Sequence, residues 1–143
     1  MKPGVYFGTV QTTSPYWLGT SIVSSKITLP GGIQLDASTF TAGSDGKRPA
    51  VSGTLVARIG TPSADPASVS WVKFSGIADP TTVTELAVIF HDILDVAVDN
   101  LTDAIAGNSG NILYYNYLPE WATLTAAQRT VVGKFFVLRR ALP

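Results

Sequence analysis

Cysteine is absent from the 143 residues of the chain. Disulfides, thiolate nucleophiles and zinc–thiolate sites are thereby excluded, and any persistence outside a reducing compartment has to come from packing or assembly. Charge is scarce as well: ten basic and ten acidic residues cancel, and charged residues make up only 14% of the chain. That balance leaves no electrostatic footprint for nucleic acid or for an anionic membrane. Histidine occurs once, at His91, and glutamate only at Glu85 and Glu120, which nothing places as a glycosidase pair. Neither Gly-x-Gly-x-x-Gly nor P-loop spacing occurs. The longest uninterrupted apolar run, residues 86–90, is far short of the roughly 20 residues that span a bilayer. Met1, Lys2, Pro3 and Gly4 lead into no continuous apolar segment, so neither a classical signal nor a membrane span is expected.

What is present is apolar bulk. Residues of the apolar and aromatic classes form 45% of the sequence, more than a lone monomer with so little charge would tolerate on its surface. An oligomer or a large partner is expected to cover the excess. The length fits one domain, able to bury about 68–70% of the surface its unfolded chain exposes. No repeat of fixed period and no low-complexity linker divides it.

The densest signal lies in residues 111–140. Ile112, Leu113, Tyr114, Tyr115, Asn116, Tyr117 and Leu118 read as a buried strand that Pro119 stops, because proline has no N–H for a ladder. Glu120 and Trp121 carry the chain over a corner. Thr125 and Gln128 then have the spacing of a capping box, and the short helix they open is expected to stop at Gly133. Lys134, Phe135, Phe136, Val137 and Leu138 read as a last strand, closed by Arg139 and Arg140.

Earlier segments are weaker. Residues 1–25 mix Val5, Tyr6, Phe7, Tyr16, Trp17 and Leu18 with glycine, proline, threonine and serine, a pattern that fits either an arm that binds something or an N-terminal strand packed on its own domain. Residues 27–35 suggest two short extended pieces around Gly31 and Gly32, and residues 36–49 an exposed loop. Alternation predicts strands over residues 52–59 and 71–75, with a loop between them. Residues 84–106 are ambiguous. Thr82 and Glu85 have capping-box spacing, and Leu86, Ile89, Ile93, Ala97 and Leu101 would line a helical face. The rival is a buried strand over residues 86–90, favoured by Val88, Ile89 and Phe90. Periodicity alone leans to helix.

Little in the chain points to chemistry. His91 has Asp92 beside it, but no serine lies in a Gly-x-Ser-x-Gly elbow, and a histidine ending an apolar run is usually a packed or capping residue. Asp92, Asp95, Asp99 and Asp103 would share a helical face, yet lack the alternate oxygen spacing and central glycine of a calcium loop; a solvated acidic face is the plainer reading. Trp17, Trp71 and Trp121 could stack on sugars, although tryptophan in β-rich domains is usually core or interface.

Three pieces taken together, residues 52–59, 86–93 and 112–138, resemble the tailed-bacteriophage head-decoration, or cement, proteins of the lambda type. The order carries the resemblance: a Gly-Thr-Leu strand, an apolar strand ending in an acidic turn, and an apolar strand running through the Leu118, Pro119, Glu120, Trp121 corner into a Thr-capped helix and a last strand. It covers the last two thirds of the chain. It implies a mainly β fold with one short helix, divided into an N-terminal capsid-binding arm (1–25) and a compact decoration domain (26–143). It also implies a homotrimer on the outer surface of an expanded head, with the major capsid protein as partner. By that resemblance Val5, Tyr6, Phe7, Tyr16, Trp17 and Leu18 would contact the capsid, and residues 86–90 would be strand. Tyr115, Tyr117 and Trp121 are the expected trimer contacts, since aromatic anchors dominate such interfaces. Residues 95–110 depart from the family in being longer and more apolar than its acidic turn. The expected role is structural and non-enzymatic, with no cofactor or metal and with neither nucleic acid nor membrane as partner. Two alternatives are a carbohydrate- or receptor-binding β module using exposed aromatics, and a hydrolase built on His91.

Overall fold

The computed structural model describes residues 15–19, 32–59, 70–107 and 110–142. Its centre is a four-stranded antiparallel sheet. Strand β2 (Leu55–Ile59) lies between β3 (Val72–Lys73) and β4 (Val83–Ile89), and β4 pairs on its other side with β6 (Ala104–Ala106). The register sets Leu55 opposite Val88 and Ala57 opposite Leu86, so these side chains share one face, while Val56, Ala87 and Ile89 share the other. Both faces are covered. On the first, Leu55, Ala57, Leu86, Val88 and Ile105 meet Leu113, Leu118, Leu124, Val131, Val132 and Phe136 from the C-terminal part of the chain. On the second, Val56, Ala87, Ile89 and Ala104 meet Ile33, Leu35, Phe40, Ala50, Trp71, Ile93 and Val96.

This two-sided burial explains why β4 carries a misleading signal. A strand covered on both faces needs apolar residues at successive positions, so the period of two vanishes and the run can be counted as helix. The expected helical face does not exist: Ile93 and Val96 are buried, whereas Leu94, Val98 and Leu101 point outward. Thr82 and Glu85 form no capping box either. The Thr82 hydroxyl donates to Asp79 O at 2.7 Å, at the end of a 3-10 turn (Pro80–Thr82), and Glu85 faces Arg58 across the sheet at 2.6 Å. Arg58 is almost fully buried, and the Glu85 carboxylate and the Trp71 ring, 5.9 Å from its guanidinium carbon, offset the cost of holding its charge there.

Two smaller ladders flank the sheet. Strand β1 (Ile33–Gln34) pairs antiparallel with β5 (Leu101–Thr102), after Gly32 takes a left-handed φ of 76° against the Thr102 carbonyl. The extended piece expected before Gly31 lies outside the described residues. Strand β7 (Ile112–Tyr114) pairs parallel with β8 (Val137–Arg139), and helix α1 (Ala126–Phe135) supplies the connection. The architecture is thus mainly β with one α-helix among the described residues, and that helix is too short to cross a membrane.

Three boundaries in this last unit differ from the sequence reading. The strand entering it ends at Tyr114, because Tyr115–Tyr117 winds into a 3-10 turn that lets Leu118 reach the core and sets Tyr115 against Trp121 at 5.1 Å. The helix runs through Gly133 to Phe135. A helical glycine costs about 0.5–1 kcal/mol against alanine, less than the roughly 1.5–3 kcal/mol from burying a side chain such as Phe136, which the last turn delivers to the core. The last strand accordingly starts at Val137 rather than Lys134. The capping box, by contrast, is fully formed: Thr125 Oγ1 accepts from Gln128 N at 3.1 Å, and Gln128 Oε1 accepts from Thr125 N at 2.9 Å.

Candidate interaction surface

Pro15, Tyr16, Trp17 and Leu18 form a turn, closed by Leu18 N donating to Pro15 O at 3.1 Å, that brings Leu18 and Gly19 against β7. Gly19 N donates to Ile112 O at 2.8 Å, Tyr114 N donates to Trp17 O at 2.7 Å, and Leu18 bridges Leu113. The Trp17 ring is buried, with its indole N–H on Ser52 Oγ at 3.0 Å, and that hydroxyl donates onward to Phe90 O at 2.6 Å. Room for the ring comes from Gly53, whose φ is 93°; a β-carbon there would sit 2.9 Å from Trp17 Cδ1 and 2.8 Å from Pro119. Trp17 and Leu18 therefore belong to the core, which corrects their assignment to a capsid-contacting arm. The physical reason is that the exposed alternative would leave two large apolar side chains in water, while backbone bonds to β7 satisfy the segment's polar groups. Val5, Tyr6 and Phe7 lie outside the described residues.

Tyr16, between these two constraints, is 88% exposed and meets Tyr117 edge to face with ring centroids 6.5 Å apart. Of the three residues expected at a trimer interface, Tyr117 is the exposed one. Tyr115 and Trp121 are half-buried against their own core, and Arg129 lies over the Trp121 ring at 5.3 Å while donating to its carbonyl at 2.8 and 3.1 Å.

Gly19, Ile112, Tyr114, Tyr117, Arg139, Arg140, Ala141 and Leu142 line an open groove of about 670 Å³. Asn116 holds Ala141 through both functions of its amide: its oxygen accepts from Ala141 N at 2.8 Å, and its nitrogen donates to Ala141 O at 3.2 Å. Leu142 is consequently held 81% exposed beside two arginines, neither of which meets a carboxylate among the described residues. Leu142 and Asn116 carry no signal that sequence could have used, since an apolar residue in a tail and an asparagine in a tyrosine run are both common.

A second exposed apolar patch consists of Leu94, Val98 and Leu101. It borders a cavity of about 350 Å³ lined by His91, Asp92, Asp99, Thr102 and Asp103 among others. The four aspartates do not share a helical face. Asp92 accepts from Ser52 N at 2.6 Å, and Asp95 accepts from Arg48 N at 3.1 Å and Ala97 N at 3.2 Å, so both serve as backbone caps. Asp99 and Asp103 point to solvent with no donor among the described residues. Among those residues no group of three acidic, histidine or cysteine side chains is placed to hold a metal ion. His91 is exposed and packs edge-on against Phe90 at 4.6 Å, while the Ser52 hydroxyl is engaged by Trp17 and Phe90. Comparison with protein families, with curated proteins and with solved structures finds no match to this chain.

Proposed function

We propose that the protein is a structural decoration protein of a tailed-phage head, binding the outer surface of the expanded shell as a trimer and bridging neighbouring major capsid subunits. The observation that carries this reading is the exposed apolar surface. Both faces of the central sheet are already filled, yet Tyr16, Leu94, Val98, Leu101 and Leu142 remain outside, each more than 60% exposed. Surface of that kind is retained where something covers it. Support also comes from the C-terminal unit, in which the Leu-Pro-Glu-Trp corner leads into a Thr-capped helix and a closing strand, the feature on which the resemblance to lambda-type cement proteins rests. A clamp of this kind needs no catalytic group; several weak contacts made at once give an avidity that none has alone.

The test is co-sedimentation with expanded heads assembled from the major capsid protein of the phage that carries this chain. Saturable binding that raises the heads' melting temperature is expected, with no binding to unexpanded shells. Failure to bind expanded heads would refute the proposal, and a specific hit on a glycan array would favour a carbohydrate-binding module using Tyr16 and Tyr117 in its place.

A further inference from the structure

We infer that copies of this chain associate head to tail, with the Leu94, Val98, Leu101 patch of one copy seated in the Tyr117, Leu142 groove of the next. The two surfaces are complementary in both respects that matter. Each presents exposed apolar side chains, and each carries two exposed charges without an ion-pair partner among the described residues: Asp99 and Asp103 on the patch, Arg139 and Arg140 on the groove. The two ion pairs among the described residues are internal, Arg58 on Glu85 and Lys73 on Glu120 at 3.3 Å. Carboxylates on the patch and guanidiniums on the groove set opposite charges against each other when the two surfaces of neighbouring copies meet.

The two surfaces cannot meet within one molecule. Ile93 and Val96, which anchor the patch, belong to the layer on one face of the central sheet, whereas Leu113 and Phe136, which anchor the groove, belong to the layer on the other. Pairing unlike surfaces gives a heterologous interface, which closes as a ring when the rotation between copies permits. The groove, an open trough of about 670 Å³, accepts protruding side chains such as Leu94 and Val98, both 83% exposed. This pairing supplies the contacts of the trimer proposed above and rests on that reading for the number of copies alone, not for the capsid.

Charge reversal in solution tests it. Sedimentation equilibrium of the full chain up to millimolar concentration should show self-association that weakens as salt rises. Arg139→Glu with Arg140→Glu should weaken it about tenfold or more, and so should Asp99→Lys with Asp103→Lys, because each sets like charges against each other. A chain carrying all four reversals should recover association to near the wild-type level. All four positions are exposed, so circular dichroism melts of each variant should match the wild type. A wild-type chain that stays monomeric throughout the range overturns the inference, as does a fourfold variant no better than either pair. So does a variant pair that associates normally but loses binding to heads, which would assign the groove to an acidic capsid segment. Because association is measured without capsids, its failure is separable from failure to decorate them.

Discussion

Truncating the N-terminus at two places separates an arm from a core. Trp17 is 3% exposed and Leu18 5% exposed, and Trp17 donates its indole N–H to Ser52 Oγ at 3.0 Å. Removing a buried tryptophan side chain costs about 3–5 kcal/mol and a buried leucine about 2–5 kcal/mol. Two ladder hydrogen bonds to β7 vanish as well, from Gly19 N to Ile112 O and from Tyr114 N to Trp17 O. Deleting residues 1–25 therefore removes roughly 5–10 kcal/mol, comparable with the total stability of about 5–15 kcal/mol typical of a domain. That deletion should leave the chain unfolded or close to it, while deleting residues 1–14 spares Trp17 and Leu18. Urea unfolding followed by tryptophan fluorescence reads both, with Trp17→Ala as an internal control expected to lose about 3–5 kcal/mol. A 1–25 deletion that melts like the full chain would refute the account of Trp17 as a core residue. If the 1–14 deletion folds normally but no longer binds expanded heads, the arm role proposed for Val5, Tyr6 and Phe7 gains direct support.

Gln128→Ala should cost more than Thr125→Ala in the same assay. Gln128 loses its cap on Thr125 N and two further bonds, to Ser75 O at 3.2 Å and Ile77 O at 3.3 Å, for about 2–4 kcal/mol against about 0.5–2 kcal/mol for the threonine, and Thr125→Ser should be nearly silent. Equal costs for the two alanine variants would contradict this division. Gly53→Ala should destabilise by about 2–4 kcal/mol, since the positive φ and the contacts with Trp17 and Pro119 act together; an unchanged melt would disprove the packing described. Asn116→Ala should leave global stability within about 1 kcal/mol while hydrogen exchange of the Ala141 amide accelerates, and continued protection of that amide would show the tail to be held by something else.

What was legible in the sequence follows from how local each signal is. The capping box was readable because its four atoms lie within four residues, and Pro119 was readable because its missing N–H acts wherever it stands. β2 showed alternation at the level of residue type, although both of its faces are buried, because Arg58 carries a charge into the second layer with Glu85 opposite. The identity of β4 was not local. Whether Leu86, Ala87, Val88 and Ile89 form a strand depends on both layers that cover the sheet, and those come from residues as distant as Ile33 and Phe136. The same limit applied to Gly133, whose local preference to end a helix lost to the burial of Phe136. Of the residues assigned to contacts, exposure sorted them in a way composition could not: Tyr16 and Tyr117 face outward, Tyr115 and Trp121 lean on their own core, and Trp17 and Leu18 are inside.

That sorting bears on how an arm could be coupled to the rest of the molecule. The segment that follows residues 1–14 reaches the groove at Gly19, which lines it with Tyr117, Arg139 and Leu142, and Tyr16 packs edge to face on Tyr117. Gly19 is needed there because a β-carbon would lie 2.7 Å from Ile112 Cγ2, closer than the chain could approach β7 with a side chain at that position. A ligand or a second copy entering the groove thus touches residues one or two positions from Trp17, whose indole is tied through Ser52 to the carbonyl of Phe90 at the end of β4. Displacing Tyr16 costs little, as its ring makes one edge contact, but displacing Trp17 would open the first core layer at a cost of several kcal/mol. The anchor is therefore costly to displace, and the residues before it are covalently tied to it. Tethering raises the effective concentration of any contact those residues make beside a groove occupied by the next copy, so association of copies and binding by the arm would be linked. Deleting residues 1–14 and reversing Arg139 and Arg140 should then weaken head binding by more together than the product of their separate effects predicts, and simple multiplicativity would show the two to be independent.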